Sequence, residues 1–288
     1  MPNNFYGLPT RAIENKFLRL EFLVTARPRI VRLLFPGSTE NVFAELPHKT
    51  IETVQGDFFL RGGHRLWHSP EAMPRTYLPD NTGVQIKEID GGVRLRQPTE
   101  AQTGITKSIE IRLDAQRAAA TITHRLQNDG ARAAEFAPWA ITMLPLGGVA
   151  ILPQTVSPID AHGLLPNRNL VWWSYTRIND ARLELANDTI RVHARAELPP
   201  CKIGYFNRRG GIAYWRNNIL FVKRFTPQID QPHPDFNCNV EVYCNDEFIE
   251  LETLAPLTRI EPGQSATHVE TWELYSGVNL DSVNELLR

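Results

Sequence analysis

The feature that most constrains this chain is a two-residue period that returns along nearly its whole length. Stretches such as LRLEFLV, RIVRLLF, KSIEIRL, AATITHRL, ILFVKRF, NVEVY, FIELETL and HVETWEL alternate apolar with polar residues and end at turn formers. Successive side chains of a strand point to opposite faces, so this is the pattern of half-buried antiparallel strands. Hairpin turns are expected at 90–92, 186–188, 208–211 and 244–246, where Gly, Asn and Asp gather. Helical periodicity is clearest in the C-terminal DSVNELLR, with Ser282 and Glu285 at capping-box spacing. The expected fold is therefore all-β, a large antiparallel sandwich with few short helices. No internal repeat and no glycine- or serine-rich linker divides the 288 residues, so a single domain over 1–288 is expected.

Composition narrows the partners. The chain is 42% hydrophobic and 22% charged, ample for a sizeable core, and its formal net charge is −1 with no run of like charges. Nucleic acid and anionic membranes need a positive field that is absent here, so neither is expected as a partner. No stretch approaches the roughly 20 apolar residues of a spanning helix. The start MPNNFYGLPT lacks the basic-then-apolar layout of a secretion signal, and a cytoplasmic location is expected. Cys201, Cys238 and Cys244 are odd in number and lack CxxC spacing, which points to reduced thiols. Without a GxSxG elbow, a GxGxxG turn or a P-loop, no cofactor is expected.

The polar and aromatic residues cluster where the alternation breaks. FFLRGGHRLWHSPE, over 58–71, sets Arg61, His64, Arg65, Trp67 and His68 beside two glycines, the residue types that hold sugars or anions by forked hydrogen bonds and ring stacking. It also reads as a structured loop with satisfied histidines. His64, His68 and Glu71 lack the HExxH order of a zinc hydrolase, and no metal is expected. LVWWSYT brings Trp172, Trp173 and Tyr175, with one tryptophan facing the core and the other free to stack. His162, Asn167 and Arg168 precede it in a loop that could reach a pocket. Lys223 and Arg224 point to opposite faces of one strand, which sends one of them to a buried or concave face or leaves the lysine on a wet one. In FIELETL, Glu250 and Glu252 share a face, and His233 and Asp235 lie just upstream.

Three stretches together resemble the galactose mutarotase-like superfamily, the aldose 1-epimerases and hexose-6-phosphate 1-epimerases. They are FLRGG (60–63 carrying the motif), THRLQNDGARAAEFAPWAITML (123–144) and LETLAPLTRIEPGQSATHVETWEL. The resemblance implies a β-supersandwich and a small carbohydrate, a hexose or hexose phosphate, as the partner. It gives Glu252 the place of the catalytic base, Arg61 that of a sugar-binding arginine and Asp235 that of an acid contacting sugar hydroxyls. Trp139 stands where the family carries a histidine acid, so the acid would come from His64, His68 or His162. The implied function is carbohydrate binding with aldose 1-epimerase chemistry, and the alternative is a sugar-binding or sensing protein that has lost the reaction. Catalysis is expected of Glu252, His64 and His68. Sugar contacts are expected of Arg61, Arg65, Trp67, Trp139, Asp235, Lys223 and Glu250, the last nearer the rim than Glu252.

Overall fold

In the computed structural model, which describes residues 4–287, the alternating stretches become strands: about 49% of the chain is strand and 5% helix. The strands form an antiparallel sheet of eleven, a second of ten and a separate two-stranded hairpin. The first sheet runs through the strands Arg29–Leu34, His64–Ser69, Ala134–Pro145, Phe248–Leu254, Val240–Cys244 and Cys201–Tyr205, in that spatial order. The second includes Ile219–Arg224, Ser265–Ser276, Ala119–Asn128 and Ile105–Leu113 as neighbours. Between the sheets lies one apolar core, to which the first contributes Leu66, Leu144 and Leu251 and the second Ile122, Phe221 and Trp272. Burial of each such side chain contributes roughly 1.5–3 kcal/mol.

Most expected turns hold. The turns at 90–92, 186–188 and 244–246 join strands that pair with each other. The 208–211 turn does not: the Cys201–Tyr205 strand belongs to the first sheet and Gly211–Arg216 to the second, so the chain crosses between layers there. The true hairpin follows, at Asn217 and Asn218, both with positive φ. At the C-terminus the helix is only Val283–Leu286, and the cap is Asn279, whose side chain accepts from the Asp281 amide; Ser282 instead donates to the Asn279 carbonyl. All three cysteines are buried and free.

Both faces of the 64–69, 134–145 and 248–254 strands are covered. Their inward face carries polar groups into the core. Lys223, fully buried, donates to the Ala140 carbonyl (3.0 Å) and the Leu251 carbonyl (3.2 Å) and is ion-paired with Glu270 at 2.9 Å. His124 Nδ1 must donate to the His268 carbonyl, 3.2 Å away, so its Nε2 accepts from His64 Nε2 at 2.8 Å. His64 Nδ1 then accepts from the Thr142 hydroxyl at 2.9 Å. Thr253 gives its hydroxyl proton to Glu270 and accepts from His268 Nε2 at 2.8 Å, while Trp272 Nε1 donates to the other Glu270 oxygen at 2.8 Å. These bonds fix the tautomers of His64 and His124, and burial keeps all three histidines neutral.

Burial pushes the imidazoles of His64, His68, His124 and His268 below their ordinary value, His124 to about 4 and His268 to about 3. The unfolded chain protonates these histidines near pH 6.5 and the folded one does not, so their stabilisation is complete above that pH and is lost as pH falls through the folded values. Denaturant midpoints measured from pH 7 to 4 are expected to fall, at about 1.4 kcal/mol per pH unit for each histidine that stays neutral. A flat profile over that window would show that the histidines charge without unfolding the core.

Candidate functional site

The outward face of the same central strands floors a cleft of about 470 Å³. Its position follows from register. Trp139 lies opposite Trp67, Ile141 lies between Arg65 and Glu252, and Glu250 lies opposite Tyr243, which in turn faces Lys202. Alternation then puts Arg65, Trp67, Trp139, Glu250 and Lys202 on one side of the sheet, and His64, Leu66, His68, Thr142, Leu251 and Thr253 on the other. The hairpin of Glu45–Ile51 and Phe58–Gly62 folds over one wall, contributing Lys49, Ile51 and Leu60. A loop brings Trp173 and Tyr175 to the opposite wall. It is held by Thr176, whose hydroxyl donates to the Lys202 carbonyl (2.8 Å) and accepts from the Lys202 amide (2.7 Å).

The site is an aromatic box with paired charges at its base. Trp67 and Trp139 meet edge to face at 5.4 Å between centroids, and the Arg65 guanidinium lies 4.1 Å from the Trp67 ring centroid. Arg65 also donates to Glu250 Oε1 at 2.8 Å, while its Nε and one terminal nitrogen are buried without a partner. Burial raises the Glu250 carboxyl above the usual range; Arg65 opposes this and the nearby Glu252 adds to it. Burial likewise raises the phenols that line the cleft, Tyr243 to about 12, so these remain neutral donors. Tyr77 donates to Glu71.

Lys202 is the second cation at the base. It lies against Trp139 and Trp173, with Nζ 4.8 and 4.6 Å from the ring centroids. Nζ donates to Glu252 Oε2 at 3.0 Å and lies 2.7 Å from Glu241 Oε2, an ion-pair contact off the hydrogen-bonding direction. Glu252 is fully buried beneath the cleft; Trp139 Nε1 donates to the same Oε2 at 2.7 Å, and Oε1 has no partner. Burial and the neighbouring Glu252 and Asp235 push Glu241 upward, while Lys202 pulls against them. For Lys202 the two carboxylates outweigh desolvation and its ammonium is held well above its ordinary value.

Several expected site residues lie elsewhere. His64, His68 and Lys223 do not face the cleft, because the parity that sends Arg65 and Trp67 outward turns His64 and His68 toward the core, and Lys223 enters that core from the other sheet. His68 accepts from Arg75 at 3.1 Å, lies 3.4 Å from Glu100 and stacks on Phe136. Arg61 is buried against Asp80 and Asn81 with φ 55°. The glycines after it serve the fold: a Cβ on Gly62 would stand 2.0 Å from the Ala44 carbonyl oxygen, and one on Gly63 2.2 Å from that of Ile30. Asp235 accepts weakly from Ser69 at 3.4 Å and acts electrostatically on Glu241, beside the base rather than in the cleft. Of the two acids Glu250, nearer the rim, lines the cleft, and Glu252 lies fully buried beneath it. Lys202 in PPCKIGY was missed, and only its even spacing from Gly204 in a strand-like run marked its face.

His64, His124 and Glu270 bring ligand atoms within 4.8 Å of one another. Two imidazole nitrogens on one zinc would stand about 3.3 Å apart, given bonds of about 2.0 Å and tetrahedral angles. The 2.8 Å between the rings is instead a hydrogen bond within a network that leaves neither imidazole a free lone pair for an ion.

No protein-family profile matches the sequence, and no curated protein matches it. Solved structures do. A galactose mutarotase-like protein from Lactobacillus casei superposes with a TM-score of 0.58 at 10% identity, covering 92% of this chain and 100% of that one. A galactose mutarotase related enzyme from Lactobacillus acidophilus gives 0.59 at 7% identity, covering 94% and 98%. A TPR-domain containing protein from Parabacteroides distasonis gives 0.66 at 15% identity over 95% of this chain, which spans only 48% of that protein. The chain has the galactose mutarotase-like fold.

Arg65 and Glu250 are both buried, so removing one partner should be worse than removing both. Arg65→Leu is expected to cost about 3–5 kcal/mol by denaturant unfolding, with much of the loss recovered in the Arg65→Leu, Glu250→Leu double variant. Additive losses would mean the pair is not coupled.

Proposed function

We propose that this protein binds a monosaccharide in the aromatic cleft and carries out aldose 1-epimerase-type inversion at the anomeric carbon. The observation that carries this reading is the composition of the box. Trp67, Trp139 and Trp173 offer ring faces to the apolar C–H faces of a pyranose, while Arg65, Glu250, Lys202 and neutral tyrosines stand at the edges where its hydroxyls project. The likeness to proteins named for galactose mutarotase supports the same chemistry, although fold does not fix function and the site must carry the argument.

Inversion needs a base to take the anomeric O–H proton and an acid to protonate the ring oxygen; the ring opens, C1–C2 rotates and closure on the other face inverts C1. Of the two acids on the 248–254 strand, Glu250 is the one the cleft reaches, and burial raises its carboxyl above its ordinary value, which makes it a stronger base. Glu252, which the resemblance makes the base, holds Lys202 and Trp139 from below. The second reading, sugar binding without turnover, is favoured by one observation: among the described residues no histidine lines the cleft.

Polarimetry or exchange NMR on α-glucose and α-galactose decides the reaction and the base. Glu250→Gln keeps shape and hydrogen-bonding reach but removes the proton acceptor, so the rate should fall on the order of 10²–10⁴ with sugar binding retained. Glu252→Gln should lose less. The reverse order places the base at Glu252. A parent protein that binds sugar, seen as a change in tryptophan fluorescence, yet does not speed mutarotation leaves the second reading standing.

A further inference from the structure

We propose that Lys202 is the catalytic acid, delivering a proton from Nζ to the ring oxygen of the bound sugar. This rests on the epimerase reading above and completes it. Among the described residues the cleft wall holds three cationic side chains. Lys49 is engaged with Glu247 in an exposed pair, and Arg65, bound to Glu250, is a guanidinium that does not release protons. Lys202 is a proton donor by type and lies on the cleft wall.

Its setting is built to aim one proton. One N–H is fixed on Glu252 Oε2, the ammonium is drawn down toward Glu241, and Trp139 and Trp173 close on it from two sides. No oxygen among the described residues accepts a further proton from it. At least one donor is therefore free for an oxygen brought in by a ligand that stacks on those same rings. A sugar lying on Trp139 or Trp173 would present the oxygen at its edge to the ammonium.

The step balances with the base already assigned. Glu250 takes the proton from O1–H and the C1–O1 bond becomes a carbonyl. The C1–O5 electron pair moves to O5 as that bond breaks, and O5 receives the proton from Nζ. The open-chain aldehyde then faces a protonated Glu250 and a neutral Lys202. After rotation about C1–C2, O5 attacks C1, returns its proton to Nζ, and O1 takes the proton back from Glu250, so each group ends as it began. The neutral amine formed midway lies 3.0 Å from Glu252 Oε2, so the loss of positive charge occurs beside carboxylates and favours prompt return of the proton.

Lys202→Gln and Lys202→Arg, compared with the parent protein, test this. Lys202→Gln should lower kcat on the order of 10²–10⁴ while dissociation constants for glucose and galactose, read by tryptophan fluorescence, stay within about tenfold. Should the neutral side chain leave Glu241 and Glu252 too poorly paired to fold, as judged by circular dichroism, Lys202→Arg preserves the cation and decides alone. Its guanidinium cannot release a proton, so kcat should drop with KM unchanged. A smaller variant, Lys202→Ala, should recover part of its rate with added methylammonium, which a merely structural lysine would not allow. A parent that turns over sugar while Lys202→Arg keeps full kcat overturns the proposal and leaves the epimerase reading intact. A parent with no turnover overturns both.

Discussion

One buried lysine holds the two sheets in register. Lys223 comes from the second sheet, is neutralised there by Glu270, and donates across the core to the carbonyls of Ala140 and Leu251 in two adjacent strands of the first. A buried ion pair is weak evidence for stability, because desolvation offsets much of its attraction, but one whose remaining protons go to fixed backbone oxygens selects a single sheet-on-sheet arrangement. Ala140 and Leu251 are neighbours in sequence to Trp139, Ile141, Glu250 and Glu252. The contact that sets the core therefore also sets the height of the cleft floor. A one-residue slip of the 134–145 strand would turn Trp139 into the core and bring Thr142 out, and one of the 248–254 strand would do the same to the acids and Thr253.

The fold was legible because its signal is local. Two-residue alternation needs no tertiary information, and it marked the strands, most hairpins and the shared face of Glu250 and Glu252. The turn at 208–211 misled because glycines serve a crossing between layers as readily as a hairpin, and the glycines at 62 and 63 look like a ligand loop yet are required by backbone carbonyls 2.0 and 2.2 Å from where a Cβ would stand. The site was legible only by neighbourhood. Sequence placed it in the 58–71, 139 and 248–254 stretches, which do meet as adjacent strands. Which side of each strand faces the cleft is a question of parity, and a strand buried on both faces gives no hydrophobic alternation to answer it. Hence His64 and His68 were expected at the site together with Arg65 and Trp67, although parity sends the two pairs to opposite faces.

A constraint from pairing could have settled the parity. If Trp139 is on the cleft face, the residue opposite it in an antiparallel partner shares that face, and Trp67 is that residue. Arg65 then follows by two and His64 is excluded by one. Lys202 had no comparable marker, since its importance arises from strands far apart in sequence, 201–205, 240–244 and 248–254, that lie side by side only in the folded sheet.

The two faces of the central sheet differ in one physical respect that bears on function. On the core side the tautomers of His64 and His124 are fixed, Lys223 donates to two carbonyls and pairs with Glu270, and Glu270 is met from several directions. Such a network is finished; it has nothing to offer a ligand. On the cleft side, buried oxygens of Glu241 and Glu252 and two nitrogens of Arg65 find no partner, although all belong to charged groups for which burial without hydrogen bonds is expensive. Unpaired charge concentrated on the cleft face, where among the described residues the core face leaves only His68 Nε2 without a hydrogen-bond partner, is what a site costs in stability and keeps for binding. Arg65 and Glu250 bring part of that face to the cleft itself, where a hydroxyl can donate to a carboxylate and accept from a guanidinium, while Glu241 and Glu252 lie beneath it.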